Sequence, residues 1–272
     1  MVLKACRIKT GITLPRQTFC GRGRCFLLLV LLLAAACRTA VVRVPVSPEN
    51  IQRANAAANE GDVLFARKDY YAALIKYLEA AQFNPNNEYI YNKVGIAYSR
   101  LQFYREATDA FTRSIGLNPK YPYSYNNLGS VYFALDNKKK AESYFRKAIS
   151  IKNDDASFHI NLGTLYFETK KFQKGLEEYR KGLALDPEVL NRTGGLSVAA
   201  STSAQNSAEK SYSMARLHAS LGNAELTVEN LQQAIANGFT DLEAIRTEHD
   251  FDPVRKDEKF VAFMKYAAQV IK

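Results

Sequence analysis

Four consecutive segments of the chain repeat at a spacing of 34 residues without a gap, beginning at Ala54, Glu88, Pro122 and Ala156. The eighth place of each is glycine: Gly61, Gly95, Gly129 and Gly163. The eleventh holds Leu64, Tyr98, Tyr132 and Tyr166, and the twenty-fourth holds Tyr77, Phe111, Phe145 and Tyr179. Small residues fill the twentieth (Ala73, Ala107, Ala141, Gly175) and the twenty-seventh (Ala80, Ser114, Ala148, Gly182). Within each unit the apolar places recur at helical spacing, as in Val94, Tyr98 and Leu101, then Ala107, Phe111 and Ile115. Each unit therefore predicts two helices. Pro85, Pro119 and Pro187 end the second helix of three units, with Asn153 in the third, because proline lacks the N–H that would continue the turn. Small residues at the eighth and twentieth places are expected to touch within the hairpin, with the rings beside them. A single hairpin cannot bury both of its faces, so neighbours must stack. The fold class expected is all-α, a solenoid of stacked hairpins.

In period, residue type and order, residues 54–189 resemble the tetratricopeptide repeat (TPR). The departure is at the fourth place, where Ala57, Tyr91, Tyr125 and His159 stand instead of tryptophan. The resemblance implies a right-handed solenoid whose first helices line a groove for a partner polypeptide. It places groove contacts at the second, fifth, sixth, ninth, twelfth and thirteenth positions. The amides and cation expected there are Asn59, Asn92, Lys93, Asn126, Asn127 and Asn161, and the rings are Tyr89, Tyr123, Phe65, Phe133 and Phe167. A side-chain amide both donates and accepts, so a row of them holds an extended backbone without reading its sequence. The alternative is that asparagine at these places is part of the repeat's own architecture. The charged clamp of chaperone-binding members is absent, since the ninth positions are Asp62, Ile96, Ser130 and Thr164.

The units expected are 54–87, 88–121, 122–155 and 156–189. Residues 190–207, rich in small and polar side chains, read as a flexible insertion. A weaker hairpin, a degenerate fifth repeat, fits 208–241, with Met214, Leu217 and Leu221 before a Gly222-Asn223 turn and Val228, Leu231 and Ile235 after it. Residues 242–272, with Phe251, Phe260 and Phe263, read as a C-terminal helical cap over the last apolar face.

Residues 1–36 read as a signal peptide. Basic groups up to Arg24 precede an apolar run, Phe26–Ala36, too short to span a bilayer as a helix. Cys37 after Leu33-Ala-Ala-Ala36 resembles a bacterial lipobox, which implies lipidation of Cys37, with 37–53 as a tether. An A-x-A cleavage site, giving a soluble periplasmic protein, and an uncleaved anchor are the alternatives. The formal charge of +10 belongs mostly to this leader. Its six basic groups (Lys4, Arg7, Lys9, Arg16, Arg22, Arg24) and no acid leave 37 − 6 = 31 basic against 27 acidic residues, about +4 for the body. Nucleic acid is therefore not an expected partner. Cys6, Cys20, Cys25 and Cys37 all precede the repeats, which leaves the body no disulfide framework or thiolate metal site.

Nothing in the body marks an enzyme. His159, His218 and His249 are not at metal-ligand spacing, and there is no nucleophile elbow or phosphate loop. Lys138-Lys139-Lys140 reads as a solvated turn. The expectation is a non-catalytic interaction scaffold of the bacterial cell envelope. It faces the periplasm from a lipid anchor and binds a protein or extended peptide, with no cofactor, metal or small-molecule substrate. A pilotin-like assembly factor for a pilus or secretion complex is the alternative.

Overall fold

The computed structural model describes residues 43–189 and 208–271, and no strand occurs among them. The signal peptide, Cys37 and the 190–207 insertion lie outside the described residues. Five antiparallel hairpins follow one another: α1 (Pro48–Ala66) with α2 (Tyr70–Phe83), α3 (Glu88–Arg100) with α4 (Tyr104–Leu117), α5 (Pro122–Ala134) with α6 (Lys138–Ile151), α7 (Ala156–Glu168) with α8 (Phe172–Leu185), and α9 (Ala208–Ser220) with α10 (Ala224–Ala236). A short helix α11 (Leu242–Thr247), a 3-10 turn (His249–Val254) and α12 (Glu258–Val270) complete the chain. Each hairpin packs on the next, and first helices also meet directly, α3 with α5 and α5 with α7. This is an all-α solenoid.

The turn inside every hairpin is the same. The fifteenth residue has a left-handed φ: 64° at Lys68, 64° at Gln102, 58° at Asp136, 57° at Lys170 and 72° at Gly222. In each, the sixteenth N–H reaches the eleventh carbonyl, as in Phe103 to Tyr98 (2.9 Å), Asn137 to Tyr132 (2.8 Å) and Asn223 to His218 (3.0 Å). The fifteenth N–H reaches the twelfth carbonyl. These paired bonds close the first helix as a Schellman motif. Asp69, Asn137 and Asn223 then cap the second helix by accepting from a backbone N–H in its first turn. Hairpin 208–241 thus obeys the geometry of the other four, although its sequence is the most divergent.

The hairpin seam differs from expectation in one respect. A methyl group on Gly95 would come within 2.6 Å of the buried Phe111 ring, and one on Gly61 within 2.5 Å of the Tyr77 ring. Gly129 stands in the same relation to Phe145 at 2.7 Å. The eighth-place glycine makes room for the twenty-fourth-place ring, and the twentieth-place alanine is not its nearest neighbour. In the fourth hairpin Gly163 and Gly175 do face each other, and Gly175 also makes room for Phe167, at 2.6 Å. The fifth hairpin replaces the glycine–ring pair with Ala215 and Leu231, both fully buried. A methyl is gained on one helix and a ring is lost on the other, so the seam volume is kept.

At the two ends the structure adjusts the expected boundaries. Helix α1 starts at Pro48, within the segment read as tether, because Ser47 caps it by accepting from Asn50 N–H (3.2 Å) and proline sits in its first turn. Ahead of it, the Arg43 guanidinium donates to the Leu117 carbonyl (2.8 Å) and the Val44 N–H to Asn86 Oδ1 (3.2 Å). At the other end, Ile245, Phe251, Val254, Phe260 and Phe263 close over Ala215, Ala219 and Leu231. Asp250 fastens this cap to the stack by accepting from Arg180 of α8 and Arg216 of α9. Beneath it, the Tyr212 hydroxyl is buried without a hydrogen-bond partner among the described residues, and burial pushes its pKa up to about 12.

The seam generates a prediction. Gly95→Ala gains up to about 1 kcal/mol of helix propensity and loses about 1–3 kcal/mol to overpacking against Phe111, so it is expected to destabilise. With Phe111→Leu in place, the pair copies hairpin five, and the cost of Gly95→Ala should fall by at least about 1 kcal/mol. A double-mutant cycle in urea checks this; strict additivity would refute the size-matching account.

Candidate functional site

A cleft of about 460 Å³ lies where α3, α5 and α7 present their first-helix faces. Ile96, Ser99 and Arg100 come from α3, Asn126, Asn127 and Ser130 from α5, and Asn161 from α7, with Tyr104 of α4 at the rim. Of the asparagines predicted for the groove, Asn126, Asn127 and Asn161 are brought together here.

The amide row is built as cross-repeat rungs. Asn127 Nδ2 donates to Asn92 Oδ1 in the preceding hairpin (2.9 Å), and Asn161 Nδ2 donates to Asn126 Oδ1 (3.0 Å). A sixth-place amide therefore pairs with the fifth-place amide one repeat earlier. Asn92 and Asn126, the acceptors, are buried. Asn92 also accepts from Ser124 (3.2 Å), which meets Ser114 (2.6 Å), and Ser114 donates to the Glu88 carbonyl (2.8 Å). This buried polar chain explains why serine stands at the twenty-seventh place of that repeat, where others have alanine or glycine. Asn127 and Asn161, by contrast, are half-buried, and their carbonyl oxygens accept no hydrogen bond from a described residue.

The same rule explains the interruption at Lys93. The fifth place one repeat earlier is Ala58, which offers no acceptor, so Lys93 reaches past it to Asp62, a carboxylate that also accepts from the Tyr77 hydroxyl (2.8 Å). Asn59 has no preceding repeat; it is exposed and makes no side-chain hydrogen bond among the described residues.

The predicted rings divide. Tyr89 and Tyr123 are exposed, joined through Tyr121 at centroid distances of 4.8 and 5.4 Å, and Lys152 donates to the Tyr123 hydroxyl (2.9 Å). Burial, with nearby phenols and Glu88 adding to it, raises the Tyr121 pKa well above its ordinary value. Phe167 is not on the groove: it is buried against Phe172 and Tyr179 in the core shared with Met214 and Leu217. Phe133 and Phe65 are partly buried against the seams of their hairpins, Phe133 beneath Lys138 at 4.3 Å and Phe65 against Tyr70 at 5.0 Å. Phe167 enters the seam because Gly175, at the twentieth place, leaves room for its ring. Lys138–Lys140 form the first turn of α6 instead of a loop, with Asn137 as their cap.

Ile96, Ser99, Arg100, Ser130 and Tyr104 line the cleft without having been singled out. The first four stand at ninth, twelfth and thirteenth positions, where the repeat rule points to them. Tyr104 opens the second helix and no rule for first-helix positions finds it.

His159 is structural. Its Nδ1 meets Glu178 on α8 (2.7 Å) and its Nε2 the Asn153 carbonyl (3.1 Å), which joins the two helices of its hairpin. Glu178 is accordingly a half-buried ion-pair partner. No group of three or more metal-ligating side chains occurs among the described residues, and no described helix is long and apolar enough to cross a membrane.

Stacked hairpins with an amide-lined cleft define a helical-repeat protein of the interaction type. Tetratricopeptide-repeat models match residues 122–155 and 156–189, and a TPR-repeat model matches 61–102. The chain is a tetratricopeptide-repeat protein. Among solved structures it is similar to TTC0263, a thermophilic TPR protein of Thermus thermophilus (17% identity, 79% of this chain and 99% of that chain covered, TM-score 0.49). It is similar also to MamA from Desulfovibrio magneticus (19%, 68% and 94%, 0.47). A third is YrrB, described as a TPR protein with an unusual peptide-binding site (20%, 73% and 93%, 0.45). No curated protein matches the sequence.

A pH dependence follows from His159. Its hydrogen bond to Glu178 raises its pKa above 6.5 against an opposing effect of burial. For Glu178, burial pushes the carboxyl up, but hydrogen bonds from His159 and Lys181 outweigh it and the pKa is lowered from 4.5. The histidine's contribution is complete below pH 6.5 and is lost as pH rises through the higher folded value; the glutamate's is complete above pH 4.5 and is lost as pH falls. His218, whose pKa burial lowers, runs the opposite way, so the variant difference is the clean readout. The stability gap between the native chain and His159→Gln should narrow between about pH 5.5 and about pH 8.5. Thermal melts at the two pH values check it, and a constant gap would refute it.

Proposed function

We propose that this chain is a non-catalytic scaffold of the bacterial cell envelope, held at the membrane by a lipid on Cys37. Its cleft between α3, α5 and α7 binds an extended segment of a partner polypeptide. The observation that carries the binding reading is the state of Asn127 and Asn161. Each commits an N–H to a rung with the preceding repeat and thereby holds its amide in a fixed orientation. Each also retains a carbonyl oxygen and a second N–H that no described side chain uses. Two pre-oriented amides, one repeat apart, match the donor–acceptor alternation of an extended backbone. Ile96 and the Tyr104 ring supply apolar contact beside them, and Arg100 a cation at the rim. Ordering a short peptide offsets much of the contact energy, so affinity on the order of micromolar is expected. The lipobox-like Leu33–Cys37 supports the envelope assignment.

A photoreactive side chain at Ser130, in the cleft, should crosslink a discrete polypeptide in membranes from the native host, whereas one at Ser143, on the outer face of α6, should not. For the captured partner's segment, Ile96→Arg should weaken binding at least about tenfold, or about 1.4 kcal/mol, with the helical circular dichroism at the assay temperature retained. Equal labelling at both sites would refute the cleft assignment. Cys37→Ala should release the chain from membranes, and its retention would refute the lipid anchor.

A further inference from the structure

The eighteenth, twenty-second and twenty-fifth places of every repeat lie along the outer face of its second helix. In hairpins two to five they are polar: Arg105, Asp109 and Thr112; Lys139, Ser143 and Arg146; Gln173, Glu177 and Arg180; Glu225, Glu229 and Gln232. All of these are exposed except Arg180, which is half-buried against Asp250. In the first hairpin the same places are Tyr71, Ile75 and Leu78, with 65%, 52% and 36% of their surface exposed. Single exposed apolar residues are ordinary. Three at i, i+4 and i+7, where every sister repeat is polar, form a continuous stripe.

We infer that the outer face of α2 is a membrane-docking surface, its occupant the headgroup and upper acyl region of an anionic bilayer. The inference rests on the membrane anchoring proposed above. Six residues separate the end of the apolar run at Ala36 from Arg43, the first residue fixed on the stack, and at about 3.3–3.6 Å each they reach about 20 Å. Arg43 and Val44 are held beside Leu117 and Asn86, and Asn86 lies just past the end of α2. The junction of the first two hairpins is thus the part of the stack that the tether keeps close to the bilayer, and of those two hairpins only the first has an apolar outer face. The charges agree. Arg67 and Lys68, in the turn before Tyr71, are exposed and make no ion pair among the described residues, which suits phosphate headgroups. Lys76, on the same helix, is engaged by Glu60 (2.7 Å) and Glu79 (3.2 Å). Three side chains give weak binding alone; a tether supplies the effective concentration that makes it count.

The chain contains no tryptophan, so Tyr71→Trp installs a single reporter. The full-length gene is expressed in a bacterial host, and the processed protein is purified from its membranes and reconstituted with vesicles of phosphatidylethanolamine and phosphatidylglycerol. Flotation, compared with that of Cys37→Ala, reads the anchor independently. In floating protein, Tyr71→Trp is expected to emit at shorter wavelength and to be quenched by lipids brominated in the acyl chain. Ser143→Trp, in a sister hairpin, should emit as in water. Ile75→Glu added to Tyr71→Trp should abolish the quenching without changing the helical circular dichroism, since Ile75 is exposed. Protein that floats with Tyr71→Trp unquenched overturns the docking surface while leaving the anchor standing. A blue shift without quenching in a particle of doubled mass means that a second copy covers the stripe, and also overturns it. Failure to float overturns the anchor and the docking together.

Discussion

The contact of a glycine on one helix with an aromatic ring on its partner sets the spacing of everything else in this stack. A second helix can approach the first closely only where no Cβ intervenes, and the ring then fills the volume so released. Interiors tolerate neither a void nor an overlap of even a methylene. The seam is therefore a volume constraint on a pair of residues. Hairpin five makes the point, because it satisfies the same constraint with Ala215 and Leu231. Distances between hairpins, the register of the cross-repeat amides and the place of the cleft all inherit from that spacing.

Once the spacing is set, repetition does the rest through backbone chemistry. The Schellman turn at the fifteenth place is formed by lysine, glutamine, aspartate, lysine and glycine in succession. Four of these five carry a local cost for a left-handed φ, which the paired hydrogen bonds and the packed seam around them offset. Turn chemistry in a solenoid is thus dictated by the hairpins on either side more than by the turn residue itself.

The helices, their pairing and the stacking order were legible because period, glycine and proline are local signals. The residues that needed partners from another repeat were not. Phe167 and Tyr123 look alike as aromatic first-helix residues, yet Tyr123 is exposed while Phe167 fills the space beside Gly175 against Phe172 and Tyr179, in a core that the fifth hairpin completes with Met214 and Leu217. The asparagine row was visible, but its pairing rule, sixth place to preceding fifth, emerges only when two repeats are superposed in space. That rule then accounts for the departure at Lys93 from the adjacent Ala58. The fifth hairpin was readable as a pattern of apolar residues; its equivalence was hidden because compensating substitutions erase the very residues that identify the repeat.

The rungs also bear on how a groove of this kind keeps its shape while empty. A surface amide ordinarily samples several rotamers and gives up that freedom on binding. Here the entropy of Asn127 and Asn161 is lost during folding, since each is fixed by the repeat before it. The same bonds add a second donor to the buried oxygen of Asn92, which Ser124 also meets, and satisfy that of Asn126, whose loss of a partner would cost about 1–3 kcal/mol. Structural and binding accounts of the amide row therefore describe two ends of one side chain: the donor that holds the repeats in register, and the acceptor left facing outward.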